Sequence, residues 1–498
     1  MSKKTCIIGA GFSGISTANV FKQYGFEVQV YEKEKEAGGV WASCRRYPGL
    51  GTQNTRDTYH LSDLAPLKSH PEWPKGEQVQ EYFEEYINQQ KLRPLIKFNT
   101  TVISTKQESD DTWIVESKSE DGVIHTEKFD YLVICNGIFS TPSIPKYKGI
   151  EEFVENGGRV CHTSEFTNKE DARGKDVIVI GFGKSSCDVA NAIAPITNKL
   201  TQVARSVVWK LPKYVFGVNF KYLFLTRMGE NLMKYKTLSG FAKFLHGPGV
   251  GVRNFLLNRV EGFVGRKLKL KKLPKLQPEK SFEAIATSNI SLYTDGHFDK
   301  IRSGEINFEK SEIIKLEPKK AYLKNGQVID TDIIICGTGW QQVVPFMEER
   351  LQEKLYDENG DYLLYKNQIP IGIKNMSFNG YHSSFFCPTS SEIGALWIAE
   401  YFTKGFILPL DDKLRKDTDE RLAWSKERTN GKNSRGTNII PFTFHHIDDL
   451  CEDMGTNLST FERFNQWNLP PSPLAYNKII KSKIKIFKEE RAKYYFAS

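Results

Sequence analysis

Two short glycine patterns carry the chemistry that can be read from this chain. Gly9-x-Gly11-x-x-Gly14 follows the apolar run at 6–8, and Gly181-x-Gly183-Lys184-Ser185-Ser186 follows the apolar run at 177–180. Such a turn suits a pyrophosphate. Its first glycine allows a tight bend, its second lets the backbone come close, and its third lets a helix pack on the strand. A helix starting there turns unpaired N–H groups and the positive end of its dipole toward the phosphates. In the second copy Ser186 replaces the third glycine, a residue small enough for that helix–strand contact. The segments after the two helices differ in charge. The apolar-alternating run at 27–31 ends in Glu32, with Lys33 next, at about the 20-residue spacing of a carboxylate that holds a ribose hydroxyl. The run at 200–204 ends instead in Arg205 and Ser206, and a guanidinium there suits a 2′-phosphate. The expectation is two dinucleotides meeting face to face, FAD on the first turn and NADPH on the second.

These turns need a frame, and the rest of the sequence supplies one. The fold class read from it is α/β, with two Rossmann-like dinucleotide-binding domains, the second inserted into the first, plus a mainly helical basic insertion. The expected boundaries are 1–165 for the first part of the FAD domain and 166–212 for the first part of the NADPH domain. The basic insertion follows at 213–285, the rest of the NADPH domain at 286–335, and the FAD domain resumes at 336–498 with a charged tail from 405. Gly38-Gly39-Val40-Trp41 marks a loop returning to the nucleotide, where Trp41 can cover an aromatic ring. Residues 47–55, including Thr52, Gln53 and Asn54, read as a turn-rich polar segment, and 77–92 as a surface helix. Runs at 101–105, 113–117 and 126–129 read as an antiparallel excursion. Buried strands end at Asn136-Gly137 and at Gly337-Thr338-Gly339, residues 153–166 form a connector, and a helix starts near Ser390.

Composition narrows the classes. A chain of 498 residues accommodates two or three cores, and 39% apolar with 26% charged residues is ordinary for a globular protein. No run approaches 18 apolar residues, so no membrane span is expected. The first strand begins near residue 5, which leaves no room for a leader, and a cytoplasmic location is the expectation. Eight cysteines are scattered without a C-x-x-C pair or metal-ligand spacing. Disulfide reductases with two nucleotide domains need a close cysteine pair beside the flavin, and Cys44 has no neighbour before Cys135. The net charge of +9 concentrates between 201 and 275, where sixteen basic residues face two acidic ones. A solvated basic face serving the NADPH phosphates accounts for this, with contact to anionic lipid as the alternative. Nucleic acid is not expected, because no binding module accompanies the charge.

Taken together, these residues resemble the class B flavoprotein monooxygenases, and within them the flavin-containing monooxygenases, over nearly the whole chain. The linker fingerprint of that family, F-x-G-x-x-x-H-x-x-x-(Y/F), is met by Gly158, His162 and Phe166, while Asn156 stands where phenylalanine is expected. Phe166-Thr167 and the Gly181–Asp188 turn look like the heteroatom-oxidising branch, whereas Tyr47-Pro48-Gly49 and Ser140-x-Pro142-x-x-Pro145 look like the Baeyer–Villiger branch. The resemblance implies cofactor contacts from Gly9, Gly11, Phe12, Ser13, Gly14, Glu32, Lys33, Gly39, Val40, Trp41, Thr52, Val102, Asn136, Gly137 and Thr389 for the flavin nucleotide. For the second nucleotide it implies Gly181, Gly183, Lys184, Ser185, Ser186, Arg205, Ser206 and Gly339. The active-site amide next to the flavin aligns with Gln53, with Asn54 one place on, and either can take the role.

What the resemblance implies is an NADPH- and FAD-dependent monooxygenase. Hydride passes to the flavin, oxygen is captured as a C4a-hydroperoxide, and a dry pocket protects it while a nucleophilic nitrogen or sulfur of a small lipophilic substrate attacks. The partners are then molecular oxygen and a small molecule, no metal is implied, and a homodimer is one option for the assembly. Baeyer–Villiger oxidation of a ketone by the same flavin peroxide is the alternative, and NADPH oxidase or quinone reductase activity a more distant one.

Overall fold

The computed structural model describes residues 3–286 and 291–497. Residues 287–290, where the chain was expected to re-enter its second nucleotide domain, lie outside the described residues. Two five-stranded sheets, each all-parallel, organise the chain. In the first, Lys4–Ile8 is central, between Glu27–Tyr31 and Tyr131–Ile134, with Ile96–Lys97 and Met376–Phe378 at the edges. In the second, Asp176–Ile180 is central, between Lys199–Val203 and Ile333–Cys336, with Asn307–Glu309 and Arg159–His162 at the edges. Unbroken apolar runs suit these central strands, because helices cover both faces of a parallel sheet. Each central strand leads through a glycine turn into a helix, Phe12–Gln23 in the first domain and Lys184–Ile193 in the second. Both turns therefore sit at the carboxyl ends of the strands where strand order reverses, the ligand-binding position of open α/β sheets.

One expectation needs correcting, and two elements gain detail. Arg159–His162, assigned to a connector inside the first domain, pairs in register with Ile333–Cys336 and belongs to the second sheet. Four residues are too few to show a period, so backbone pairing decides. The helix Gly76–Gln89 is the expected surface helix, with Glu77, Glu81 and Glu85 exposed on its outer face. Its Val79, Phe83, Tyr86 and Ile87 follow helical spacing and are buried, and Phe83 packs 4.4 Å from Phe12. The charged tail is four helices, Asp411–Thr429, Thr443–Asp453, Thr460–Asn468 and Pro473–Ala497. The last of them returns to the first domain, where Phe487 stacks on Tyr24 at 4.6 Å and Lys483 pairs with Glu400 at 2.9 Å. Its apolar Ile480 and Ile484 are buried between lysines that hid the stripe.

The antiparallel excursion is present as Thr101–Gln107, Trp113–Lys118 and Ile124–Phe129. The insertion is helical in Lys221–Phe224, Arg227–Asn231, Gly240–Leu245, Val250–Lys267 and Phe282–Ala286. It shares a core with the C-terminal helices through Leu257, Val264, Phe442 and Phe444. Among the described residues no helix is long and apolar enough to cross a membrane.

Candidate active site

At the first turn Gly9 has φ +106°, and a Cβ there would lie 2.5 Å from the Cys135 carbonyl oxygen. A Cβ on Gly14 would lie 1.9 Å from the Gly9 carbonyl oxygen, so both positions require glycine. Gly11 is different. A Cβ there would meet only the Gly39 Cα, at 3.8 Å, which leaves the outer face of the turn open to a phosphate. No side chain caps the helix that follows, so its first N–H groups remain available. Gly38 donates its N–H to the Ala10 carbonyl at 3.0 Å, which brings the Gly39-Val40-Trp41 loop against the turn. Glu32 is buried, accepting from the Ala10 N–H at 2.7 Å and the Glu34 N–H at 3.0 Å. Burial pushes its carboxyl above the ordinary value, and those two donors oppose the rise.

A second helix start joins the first. Helix Cys387–Phe402 begins three residues before Ser390, with Pro388 in the first turn and Thr389 buried there. Ser391 Oγ lies 3.2 Å from Ser13 Oγ. Asn379 Nδ2 donates to Thr17 Oγ1 at 2.9 Å and to the Ser391 carbonyl at 2.8 Å, tying the two helices together. Gly380, at φ +78°, lets the chain pass Ser13, whose Oγ would sit 1.9 Å from a Cβ there. His382 Nε2 pairs with Ser390 Oγ at 2.8 Å, and burial pushes its imidazole down to about 4, so it is neutral.

The amide segment lies beside this helix start. Thr52 Oγ1 donates to the Asn54 carbonyl at 2.7 Å. Asn54 is consumed at both ends: Oδ1 accepts from Thr55 N–H at 2.9 Å and Thr58 Oγ1 at 2.6 Å, and Nδ2 donates to the Phe385 carbonyl at 3.0 Å. Gln53 reaches across to the other domain. Its Oε1 accepts from the Leu292 N–H at 3.1 Å, and its Nε2 makes no hydrogen bond among the described residues.

At the second turn Gly181 has φ +108°, and a Cβ there would lie 2.5 Å from the Gly337 carbonyl oxygen. Gly183 faces open space, with nothing within 4 Å of a Cβ. Ser186 Oγ donates to the Ile180 and Gly337 carbonyls at 3.2 and 3.3 Å. Lys184 is not turned to the nucleotide face. Its ammonium pairs with buried Asp188 and with Thr294 Oγ1 at 3.1 Å. Arg205 and Ser206 are exposed just past Lys199–Val203, and Arg205 has no ion pair among the described residues.

The remaining expected residues divide. Gly137 and Gly339 have positive φ and open space beside them. Asn136 donates to the Val343 carbonyl at 3.2 Å. Phe12 and Trp41 both pack edge-on against Tyr59, and Lys33 lies 3.7 Å from Glu34 at the surface. Val102 is buried in the core with Cys6 and Ile8, so only its backbone can meet a ligand. In the linker, Phe153 packs where a Cβ of Gly158 would be, with ring atoms 2.3 Å from that position. Asn156, where the fingerprint has phenylalanine, is exposed. His162 is buried, its Nδ1 2.9 Å from Ser164 Oγ and its ring edge-on to Trp340, and Phe166 is buried below Arg159. Sequence spacing did not reveal Gly337, Asn379, Gly380 or His382, because each acts on a partner distant in the chain.

Two dinucleotide turns, one followed by a buried acid and the other by an exposed arginine without an ion pair among the described residues, define a flavoprotein oxidoreductase with a second nucleotide site. Residues 2–247 match the family described as FMO-like, flavin-binding monooxygenase-like. The probable flavin-containing monooxygenase 1 of Arabidopsis thaliana is 27% identical over 92% of this chain and 92% of its own. The S-allyl-L-cysteine S-oxygenase of Allium sativum has a similar fold, with TM-score 0.63 and 17% identity over 99% of this chain and 94% of that one. So does the NADP+-bound cyclohexanone monooxygenase of Rhodococcus sp. Phi1, with TM-score 0.67 and 17% identity over 91% and 97%. The chain belongs to the flavin-binding monooxygenase-like family of class B flavoproteins. It is an NADPH-dependent flavin monooxygenase and uses FAD and NADP(H).

Proposed function

We propose that this monooxygenase oxygenates a nucleophilic nitrogen or sulfur, with Gln53 rather than Asn54 as the amide at the reacting centre. The observation that carries the reading is the Gln53 side chain. It is anchored to the NADPH domain through Leu292 N–H and keeps both N–H donors of its amide, whereas Asn54 is held at both ends, its Nδ2 by the Phe385 carbonyl and its Oδ1 by Thr55 and Thr58. FAD fits the first site because the glycines leave room where its pyrophosphate would lie, and Gly9, Gly11, Ser13, Gly14, Glu32 and Thr389 would hold it. NADPH fits the second for the same reason, and Gly181, Gly183, Ser185, Ser186 and Arg205 would hold it. When bound, these two groups supply hydride and an activated oxygen atom.

The chain's residues position and shield. The helix start at Cys387 would turn its positive dipole end toward the ring of a bound flavin, where reduction builds negative charge, while the start at Phe12 would serve the pyrophosphate. Oxygen insertion beside a ketone needs an attacking anion and therefore a cation to hold it, whereas transfer to an amine or thioether needs only a neutral donor. The arginines flanking the amide segment are committed elsewhere. Arg45 donates to the Phe139 carbonyl, Arg46 lies 3.8 Å from Glu77, and Arg56 donates to the Lys68 and His70 carbonyls. A relative at 24% identity, named as an N-oxide-forming dimethylaniline monooxygenase, agrees with this branch. The basic insertion adds a surface suited to anionic lipid. Val252 and Phe255 are exposed on it, and Arg259 lies over Phe255 at 5.5 Å.

The test supplies holoenzyme with NADPH and ¹⁸O₂ and offers benzyldimethylamine, methyl phenyl sulfide and cyclohexanone separately. One ¹⁸O in the N-oxide or sulfoxide, with cyclohexanone recovered, is expected. Lactone formation from cyclohexanone at a comparable rate would overturn the reading.

A further inference from the structure

Away from both nucleotide turns, a cavity of about 200 Å³ opens between helices Asp411–Thr429 and Thr443–Asp453, under the insertion loop that carries Tyr235. Thr418, Arg421 and Ser425 line it from one helix, at the spacing that puts i, i+3 and i+7 on one face. Thr418 Oγ1, Arg421 Nε and Ser425 Oγ are all buried without a hydrogen-bond partner. The other guanidinium nitrogens of Arg421 are fixed on the Gly436 and Leu364 carbonyls at 2.8 and 3.2 Å. Burial lowers its pKa only to about 10, so it stays cationic near neutrality. The facing wall carries two more unpartnered polar atoms, Asn367 Oδ1 and His446 Nε2, and burial holds His446 neutral. Thr418, Ser425 and Asn367 are each at most 2% exposed. Buried polar side chains are nearly always hydrogen-bonded. Five unpartnered ones around a single cavity point to an occupant.

Its chemistry follows from the arrangement. Arg421 Nε, which is charged, has Thr418 Oγ1 one turn before it and Ser425 Oγ one turn after it, and the charged donor with either hydroxyl suits a carboxylate. Trp424 and Tyr235, with ring centroids 5.1 Å apart, and Phe442 beside both make an apolar wall for a flat body. The acceptors Asn367 and His446 suit a hydroxyl at the far end. We propose that this cavity binds a small aryl carboxylate, preferentially one with a hydroxyl opposite the acid. The site adjoins the nucleotide cleft without being part of it. His446 packs 4.9 Å from His382, which holds Ser390 in the first turn of the helix at the flavin site.

The experiment is ¹⁹F NMR of flavin-loaded enzyme with 4-fluorophenylacetate as the probe. Expected is saturable broadening that 4-hydroxyphenylacetate reverses, and that neither tyramine, which has an amine in place of the acid, nor NADP+ reverses. One of Ser425→Ala and Thr418→Val should weaken the probe about tenfold while the flavin spectrum is kept, since it removes one hydrogen bond to a charged group. Non-saturable broadening would show that water alone satisfies these atoms and would overturn the proposal. So would displacement by NADP+, or unchanged affinity in both variants. Should either variant lose its flavin, the competition pattern of the unmodified protein decides.

Discussion

The two nucleotide turns solve one crowding problem in two ways. Gly9 and Gly181 have nearly the same φ, +106° and +108°, and each faces the carbonyl that ends the neighbouring strand, Cys135 or Gly337, at 2.5 Å from a built Cβ. They part at the third motif position. In the first turn a Cβ at that position would lie 1.9 Å from the Gly9 carbonyl oxygen, so the helix carries Gly14. In the second the neighbouring strand ends in Gly337, and the helix can carry Ser186, whose Oγ lies 2.0 Å from where a Gly337 Cβ would be. Gly14 is thus required by the backbone of its own turn, whereas Ser186 is accommodated by the glycine that ends the neighbouring strand. The sugar-side charges differ in the same spirit. Glu32 is buried and bonded to the turn, while Arg205 is exposed and free of ion pairs among the described residues. That contrast suits a resident nucleotide in the first site and one that comes and goes in the second.

Substitutions can break this comparison, and the largest effect is expected at Gly14. Gly14→Ser drives a Cβ into the Gly9 carbonyl, a backbone atom that cannot yield, and should cost at least about 3 kcal/mol with loss of bound flavin. Thermal melting and the flavin absorbance after gel filtration measure both. Gly337→Ala should cost about 1–3 kcal/mol and raise KM for NADPH while the protein stays yellow. Adding Ser186→Gly should restore most of that loss. A double-mutant cycle showing simple additivity would separate the two residues and refute the pairing. Arg205→Gln should lower the preference for NADPH over NADH about 10–100-fold, as expected for one charge-assisted phosphate contact, leaving flavin content unchanged.

A further contrast concerns buried acids. Asp188 beside the second turn has Lys184 and Thr294 as partners, whereas Glu392 beside the first has no basic partner among the described residues and accepts from the Ser62 N–H at 2.8 Å. Burial, reinforced by nearby Asp63, pushes the Glu392 carboxyl up to about 8 from its ordinary value of 4.5. A carboxyl whose pKa is higher folded than unfolded holds its proton better in the native state. Stability therefore falls as pH rises from about 4.5 to about 8 and is level above that. Glu392→Gln should remove that slope, with melting temperatures converging on the unmodified protein at the acid end and exceeding it near pH 8. Parallel melting curves across that range would show that Glu392 carries no such charge.

The sequence alone determined the two glycine turns, the acid after one and the arginine after the other, because these are local demands. Gly9, Gly11 and Gly14 answer to bonds and backbone within a few residues, and an apolar run before them makes a buried strand wherever it lies. The class and both nucleotides followed from that spacing. The tertiary structure decided what depends on residues far apart in the chain. Gly337 makes room for Ser186, Asn379 ties two helix starts, and Leu292 holds Gln53 while Phe385 and Thr58 occupy Asn54. The edge strand Arg159–His162 and the final helix Pro473–Ala497 were hidden for the same reason. Pairing and burial against a distant partner leave no local period strong enough to read.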